Sequence, residues 1–440
     1  MSARTAVTRF LRLCMRIFYR RIELMGLDRV PDRGPVIFAV NHPNGLVDPL
    51  FVLCFSGRPV SFLAKAPLLH YFFIGWFVRT FEAIPVFRKQ DNSSGSNAET
   101  FSKARDVLKR GGSIAIFPEG TTHDDPQLRE LKTGVARIAL GAQLQEMTVI
   151  PTGIYYTAKH VFRSSALVVF GDPLPVRPAP LDAEGEPPRE DVERLTAQID
   201  AGLDAVTLQA DSHAALELIA KAEDIFTADE DQPLAEELQL RRRFIDAYRY
   251  LRTKDPARLQ KLQSIITQFD AELRRAKFDV HELEPRIGAL QLLRVLVLLP
   301  IAIAGVIANY ATYRLIRVLA KRFSEGEGAT TATVKLVAAL TLYPFTYLVF
   351  AVILGWRFGI VYGIATGVLL PFVSYAALRV IEEIDDIIGD LRAIAHRMFR
   401  RYGHAQLVAE RRKILEEMIG VARELESRQV SESPSLRGVP

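Results

Sequence analysis

"VIFAVNHPNGLVDPL", residues 36–50, is the stretch on which the reading of the chain turns. Its first five residues, Val36 to Val40, are apolar and largely β-branched, the signature of a short buried strand. They run into a histidine, a Pro-Asn-Gly turn and then an aspartate, with five residues between His42 and Asp48. A strand that ends this way can bring both side chains to the carboxyl edge of a sheet, where α/β folds hold their ligands. Asp48 can then accept a hydrogen bond from one imidazole nitrogen and leave the other to take a proton. By itself such a pair is as readily a structural hydrogen bond as a catalytic one.

Outward from this stretch, β-like and helical segments alternate. "SFLAK" (61–65), "AIPVF" (83–87), "SIAIF" (113–117), "TVIPTGIY" (148–155) and "ALVVFG" (166–171) read as strands, and residues 97–110 and 131–143 have helical spacing. Such alternation predicts an α/β domain, a sheet flanked by helices, over residues 21–180. A Pro-rich loop, residues 172–191, closes it.

Two further segments of this domain can carry chemistry. "SIAIF" runs into Pro118-Glu119-Gly120-Thr121-Thr122, whose amides and hydroxyls can cradle a phosphate. Glu119 can orient a basic side chain or the hydroxyl of a substrate; the plainer reading is a glycine turn. "AIPVFRKQD" ends in Arg88 and Lys89, where a guanidinium fork can clasp a phosphate, although basic residues at strand ends are commonly surface charge.

Composition narrows the function classes. Across 440 residues, Lys and Arg number 56 and Asp and Glu 51, a net charge of +5 that suits an anionic membrane or a phosphorylated substrate as well as nucleic acid. The two cysteines, Cys14 and Cys54, make neither a disulfide framework nor a CxxC pair, which points to a reducing compartment. There is no G-x-S-x-G elbow, P-loop, GxGxxG fingerprint, HExxH or Cys-His zinc pattern. Accordingly no metal, no cofactor and no nucleic-acid partner is expected.

Outside the α/β domain the chain changes character. Residues 1–20 form a basic amphipathic helix, with arginines at 9, 12, 16 and 20 between apolar residues, suited equally to a membrane interface or to packing on the domain. Residues 181–285 read as charged, solvated helices of an insert or cap. In the membrane region, 286–380, residues 336–356 and 358–378 contain no charge and are each long enough to cross a bilayer. Residues 295–308 are shorter and hold Pro300, which suits a span, a re-entrant piece or a buried helix; a shallow or re-entrant piece beside a two-span hairpin is expected. A helical tail, 381–440, ends in a disordered stretch from residue 426. Basic flanks on both sides of the hairpin, against Arg357 alone in its turn, predict cytoplasmic ends and a cytoplasmic catalytic domain.

Taken in order, the motifs resemble those of the glycerolipid acyltransferase family: His42 with Asp48, "IPVFR", "FPEGTT" and "VIPTGIYY". Lys65 in "AKAPLL" and Lys132 in "LKTG" also match basic positions common in that family. The five-residue gap between histidine and aspartate, where most members have four, is similar to a branch resembling the fungal glycerol-3-phosphate and dihydroxyacetone-phosphate acyltransferases. The resemblance implies a membrane-bound enzyme that moves a fatty acyl group from acyl-CoA, or an acyl carrier protein, to the sn-1 hydroxyl of glycerol 3-phosphate. It implies His42 as general base, Asp48 as its support, Arg88 as the phosphate ligand, Glu119, Gly120 and Thr121 as shapers of the acceptor site with Lys65 and Lys132 near it, and Pro151 on the acyl path. His123 matches the branch and adjoins the phosphate motif. The sn-2 enzyme, acting on 1-acylglycerol 3-phosphate, shares these motifs, and a catalytically silent membrane scaffold is the alternative of another class.

Overall fold

The computed structural model describes residues 3–65, 79–86, 97–228, 233–276, 280, 289–324, 328–399 and 401–432. The chain divides into two units, one made of residues 1–209 and 317–340, the other of 210–316 and 341–440.

The first unit is built on a mixed sheet of β1 (Arg21–Met25), β2 (Val36–Val40), β3 (Val60–Lys65), β4 (Ile84–Val86), β5 (Ser113–Ile116), β6 (Met147–Tyr156), β7 (Ser165–Phe170) and β8 (Leu174–Val176). Its order is β1-β7-β6-β2-β5-β3-β4, with β8 also paired to β6. The run from β6 to β4 is parallel, so β2 lies centrally with β6 and β5 as parallel neighbours. Every residue of β2 is buried, as its unbroken apolar run requires of a strand covered on both faces. Phe38 and Val40 face a cluster formed with α1 (Ala3–Phe18) and α2 (Val47–Phe55), including Met15, Phe18, Phe51 and Phe55. Each such side chain contributes about 1.5–3 kcal/mol by leaving water. The same cluster takes in Ala332 and Leu336, from the first turns of a long helix far down the chain.

The helix predicted over 1–20 packs on the domain through Leu11, Met15 and Phe18, while Phe10 and Leu13 stay exposed. Helices α3 (Asn97–Lys109) and α4 (Gly134–Gly141) complete the predicted alternation. The domain does not stop at residue 180. Helix α5 (Arg189–Val206) buries Val192, Leu195, Ile199, Leu203 and Val206 and packs on β2 and β6. Its Gly202 lies so close to the Pro151 ring that a Cβ there would strike it. The charged residues of this helix mark its outer face, which is why the segment reads as solvated.

In the second unit, α6 (His213–Thr227), α7 (Leu234–Lys254), α8 (Pro256–Ala276) and α12 (Arg401–Glu432) bundle together. Ile225, Ile266, Phe269, Leu407, Ile414 and Met418 make a common core, so neither the charged region nor the tail is merely solvated. Helix α12 is regular to Glu432, past the expected onset of disorder at 426; residues 433–440 lie outside the described ones.

Among the described residues, three helices are long and apolar enough to cross a membrane: α9 (Ala289–Phe323), α10 (Gly328–Phe358) and α11 (Ile360–Phe399). Residues 295–308, expected as a re-entrant piece, are the middle of the 35-residue α9, which runs on through Pro300. The polar residues beyond them do not end the helix because their side chains find partners. Asn309 donates to Gly305 O at 2.7 Å and to Ser374 Oγ at 2.7 Å, and the Thr312 and Thr346 hydroxyls meet at 2.5 Å.

Candidate functional site

The predicted residues gather at the carboxyl edge of β2 and β5. Two residues past β2 stands His42, and Asp48 is the second residue of α2, so strand and helix deliver the two groups to each other across the turn. Gly45, at φ +46°, turns the chain through the left-handed region that a Cβ disfavours. The Val47 amide closes the turn on Asn44 O at 3.0 Å. With this geometry a five-residue spacer brings His42 Nδ1 to 2.9 Å from Asp48 Oδ2. The Asp48 side chain is fully buried, while the imidazole keeps 17% of its surface exposed.

A buried carboxylate needs donors, and Asp48 has a complete set. Oδ2 also accepts the Asn44 amide at 2.7 Å, and Oδ1 accepts the Tyr156 hydroxyl at 2.5 Å. Burial, and then the charge of Asp48, raise the Tyr156 hydroxyl well above the usual phenol range, so it stays a donor. Tyr156 in turn packs against Tyr19 and Phe51, which fixes its ring. Sequence reasoning missed it, because an aromatic residue in "GIYY" reads as core; its one signal is a polar tip in a buried strand.

Glu119 is bonded to the protein on both of its oxygens. Its Oε1 accepts the backbone N–H of His42 at 2.8 Å, and its Oε2 accepts the Arg129 amide at 3.1 Å and pairs with His123 Nε2. The carboxylate thus shapes the site from behind, holding the backbone of the histidine whose ring stacks on Phe117 at 4.2 Å. His123 is the other buried member of this brace. The Gly120 amide turns back to Phe117 O at 3.0 Å, the Lys132 side chain lies against Gly120, and Thr121 is exposed beside them.

The remaining predicted residues are not all brought into this cluster. Lys65 is the last residue of β3. Arg88 and Lys89 lie outside the described residues. Pro151 is buried within β6, paired in register with Ala39 and packed on α5 rather than in the cluster of Phe38 and Val40. It falls between the β6 residues paired to β8 (147–149) and those paired to β7 (152–156), where its missing N–H leaves no ladder bond unmade.

With Nδ1 occupied by Asp48, Nε2 is the imidazole nitrogen without a hydrogen-bond partner among the described residues. The arrangement is that of a general base held in one tautomer by a buried carboxylate. Among the described residues no group of three His, Cys, Asp or Glu side chains is placed to hold a metal ion.

Comparison with known proteins gives two family matches. Residues 21–155 match the Acyltransferase model, and residues 219–429 match the model of the glycerol-3-phosphate acyltransferase 2 C-terminal domain. Glycerol-3-phosphate O-acyltransferase 2 of Saccharomyces cerevisiae is 29% identical over 285 residues, 59% of this chain and 38% of that protein. Glycerol-3-phosphate O-acyltransferase 1 of the same yeast is 24% identical over 92% of this chain and 69% of its own length. A 1-acyl-sn-glycerol-3-phosphate acyltransferase of Borreliella burgdorferi is 31% identical, over 34% of this chain and 58% of its own length.

Proposed function

We propose, for a chain that carries an acyltransferase domain at residues 21–155 and a glycerol-3-phosphate acyltransferase 2 C-terminal domain at 219–429, that it acylates the sn-1 hydroxyl of glycerol 3-phosphate to give lysophosphatidic acid. His42 Nε2 removes the proton of the acceptor hydroxyl as the oxygen attacks the carbonyl carbon of a fatty acyl thioester. The Nδ1–H donates to Asp48 throughout, which stabilises the imidazolium. When the tetrahedral intermediate collapses, the carbon–sulfur bond breaks and the imidazolium proton passes to the departing thiolate. No acyl-enzyme forms, and the balance calls for no metal or cofactor. Arg88 and Lys132 supply cationic contacts for the acceptor phosphate, with Gly120 and Thr121 beside them. The donor is acyl-CoA; since this donor and the acceptor are cytosolic, the catalytic unit faces the cytoplasm.

The observation that carries the reading is the His42–Asp48 pair, with Asp48 buried and fully hydrogen-bonded and the second imidazole nitrogen without a partner among the described residues. First-position acylation is favoured over the sn-2 reaction by the extent of the matches. The sn-2 enzyme of Borreliella covers about a third of this chain, whereas the yeast glycerol-3-phosphate enzymes cover more than half and nearly all of it. Purified protein in detergent, given labelled palmitoyl-CoA with glycerol 3-phosphate, dihydroxyacetone phosphate or 1-acylglycerol 3-phosphate in turn, tests this. Label at the first position of glycerol 3-phosphate, undiminished by EDTA, is the expected outcome. Transfer only to 1-acylglycerol 3-phosphate would make the chain the sn-2 enzyme, and transfer to none would leave the silent scaffold.

A further inference from the structure

The catalytic turn is held from two sides by elements that have no part in the proton chemistry. On one side the Asn44 side chain donates to Lys159 O at 3.0 Å, in the loop between β6 and β7. On the other, the Leu46 amide donates to Thr333 Oγ1 at 3.1 Å, in the first turns of α10. Helix and loop also meet each other, since Lys335 Nζ donates to His160 O at 2.6 Å.

Lys335 is the last charged residue of α10 before Arg357. The 22 residues from one to the other span about 33 Å of helix, close to the thickness of a bilayer's hydrocarbon core. The loop that Lys335 touches therefore stands where α10 passes from polar surroundings to apolar ones. At its tip are Val161 and Phe162, exposed by 44% and 40%, and Leu46 of the catalytic turn is exposed by 38%.

Three backbone amides of this tip are bonded within the unit. The Val161 amide bonds to Ala158 O at 3.0 Å, Arg163 N to Phe18 O at 2.8 Å and Ser164 N to Val161 O at 3.3 Å. The Arg163 guanidinium reaches back to Ile17 O at 3.1 Å, and the Lys159 ammonium pairs with Asp124. What the tip presents outward is Val161 and Phe162 with His160 before them, and three of its backbone amides are bonded within the unit, which suits a segment at the lipid interface.

We infer that the loop of residues 158–164 is a membrane-contacting element, with Val161 and Phe162 seated in the phospholipid interface beside α10. The catalytic turn, bonded to both, is thereby held at the bilayer surface. The inference rests on α10 as a membrane span and is independent of which acceptor is acylated. Leu181 is an exposed apolar residue of the same unit beyond β8, at the opposite edge of the sheet, where the β2 and β6 strands begin; it stays in water.

The test is quenching by phosphatidylcholine vesicles brominated on the acyl chains, with the full chain reconstituted. Single tryptophans are placed by Phe162→Trp, Val161→Trp or Leu181→Trp in a background carrying Trp76→Phe and Trp356→Phe. A Trp76→Phe protein that keeps the native Trp356 of α10 serves as the span reference. Loss of emission and a blue shift at 161 or 162, with neither at 181, is expected. Quenching of Trp356 without quenching at 161 and 162 would overturn the loop while leaving the span. Equal quenching at 181 would overturn it too, and an unquenched Trp356 would remove the span on which it rests. None of these readouts involves turnover, so they stand apart from the acyltransfer assay.

Discussion

Each unit buries a carboxylate, and the two are provided for in opposite ways. In the sheet unit, the fully buried Asp48 meets a backbone amide, a tyrosine hydroxyl and an imidazole, so both of its oxygens are satisfied. In the helical unit, Glu223 of α6, with 2% of its side chain exposed, pairs through Oε2 with Arg241 of α7, and Oε1 has no hydrogen-bond partner among the described residues. Burial pushes Glu223 up to about 8, since Arg241 only partly offsets it and the nearby Glu237 adds to the rise. A buried carboxylate that serves chemistry is given donors for every lone-pair direction it uses. One that serves packing can remain half satisfied and take up a proton instead.

The sharpest way to break this contrast is to remove the group that Asp48 exists to support. His42→Ala lowers kcat by about a hundred- to ten-thousand-fold, the usual worth of a placed general base, and leaves the acceptor KM nearly unchanged. Initial rates over a range of glycerol 3-phosphate concentrations check this; a rise in KM with kcat preserved would take the base out of the mechanism.

Tyr156→Phe tests the provisioning itself. It strips one donor from Asp48 Oδ1, and a hydrogen bond to a charged group is worth roughly 1.5–3 kcal/mol. Thermal unfolding in detergent should show that loss of stability, and kcat should fall by about tenfold as the imidazole loses its fixed support. A wild-type kcat with the loss of stability alone would make the tyrosine a packing residue.

The smallest effect on acyl transfer lies in the helical unit. Because the folded-state value of Glu223 is raised above its unfolded value, near 4.5, the folded protein holds a proton that the unfolded chain has given up. Its contribution to stability is full below about pH 4.5 and declines as the pH rises toward about 8, by at most ~1.4 kcal/mol per pH unit. Glu223→Gln should remove that slope and leave acyl transfer untouched, which melting curves at several pH values will show.

What was legible in the sequence follows the same physics. The α/β alternation and the meeting of His42 with Asp48 could be read because strand-length apolar runs end in polar or reactive residues. Tyr156 could not, since its reactive end shows only once Asp48 is folded against it. The bonds of Glu119 to the His42 and Arg129 amides were not legible, because backbone amides are groups that every residue possesses. Helix α5 was misread for its charged outer face, although Leu195, Ile199 and Leu203 keep a helical spacing toward the sheet. The reach of α9 beyond Ala308 was not legible, because the polar Asn309 and Thr312 look unsuited to an apolar segment until the Asn309 amide is seen bonded to Gly305 and Ser374.

The hydrogen bond from Leu46 to Thr333 joins residues 287 positions apart, and Ala332 and Leu336 fill the core around the aromatic residues of α1 and α2. During synthesis, therefore, the ribosome makes the whole of β1 to β8 and then more than a hundred residues of the helical unit before it delivers the last piece of the first core. Until that piece emerges, the nascent catalytic unit exposes an apolar socket next to its own active-site turn. The order of translation thus supplies the last bond of the candidate site's turn only with a helix that is long and apolar enough to cross a membrane.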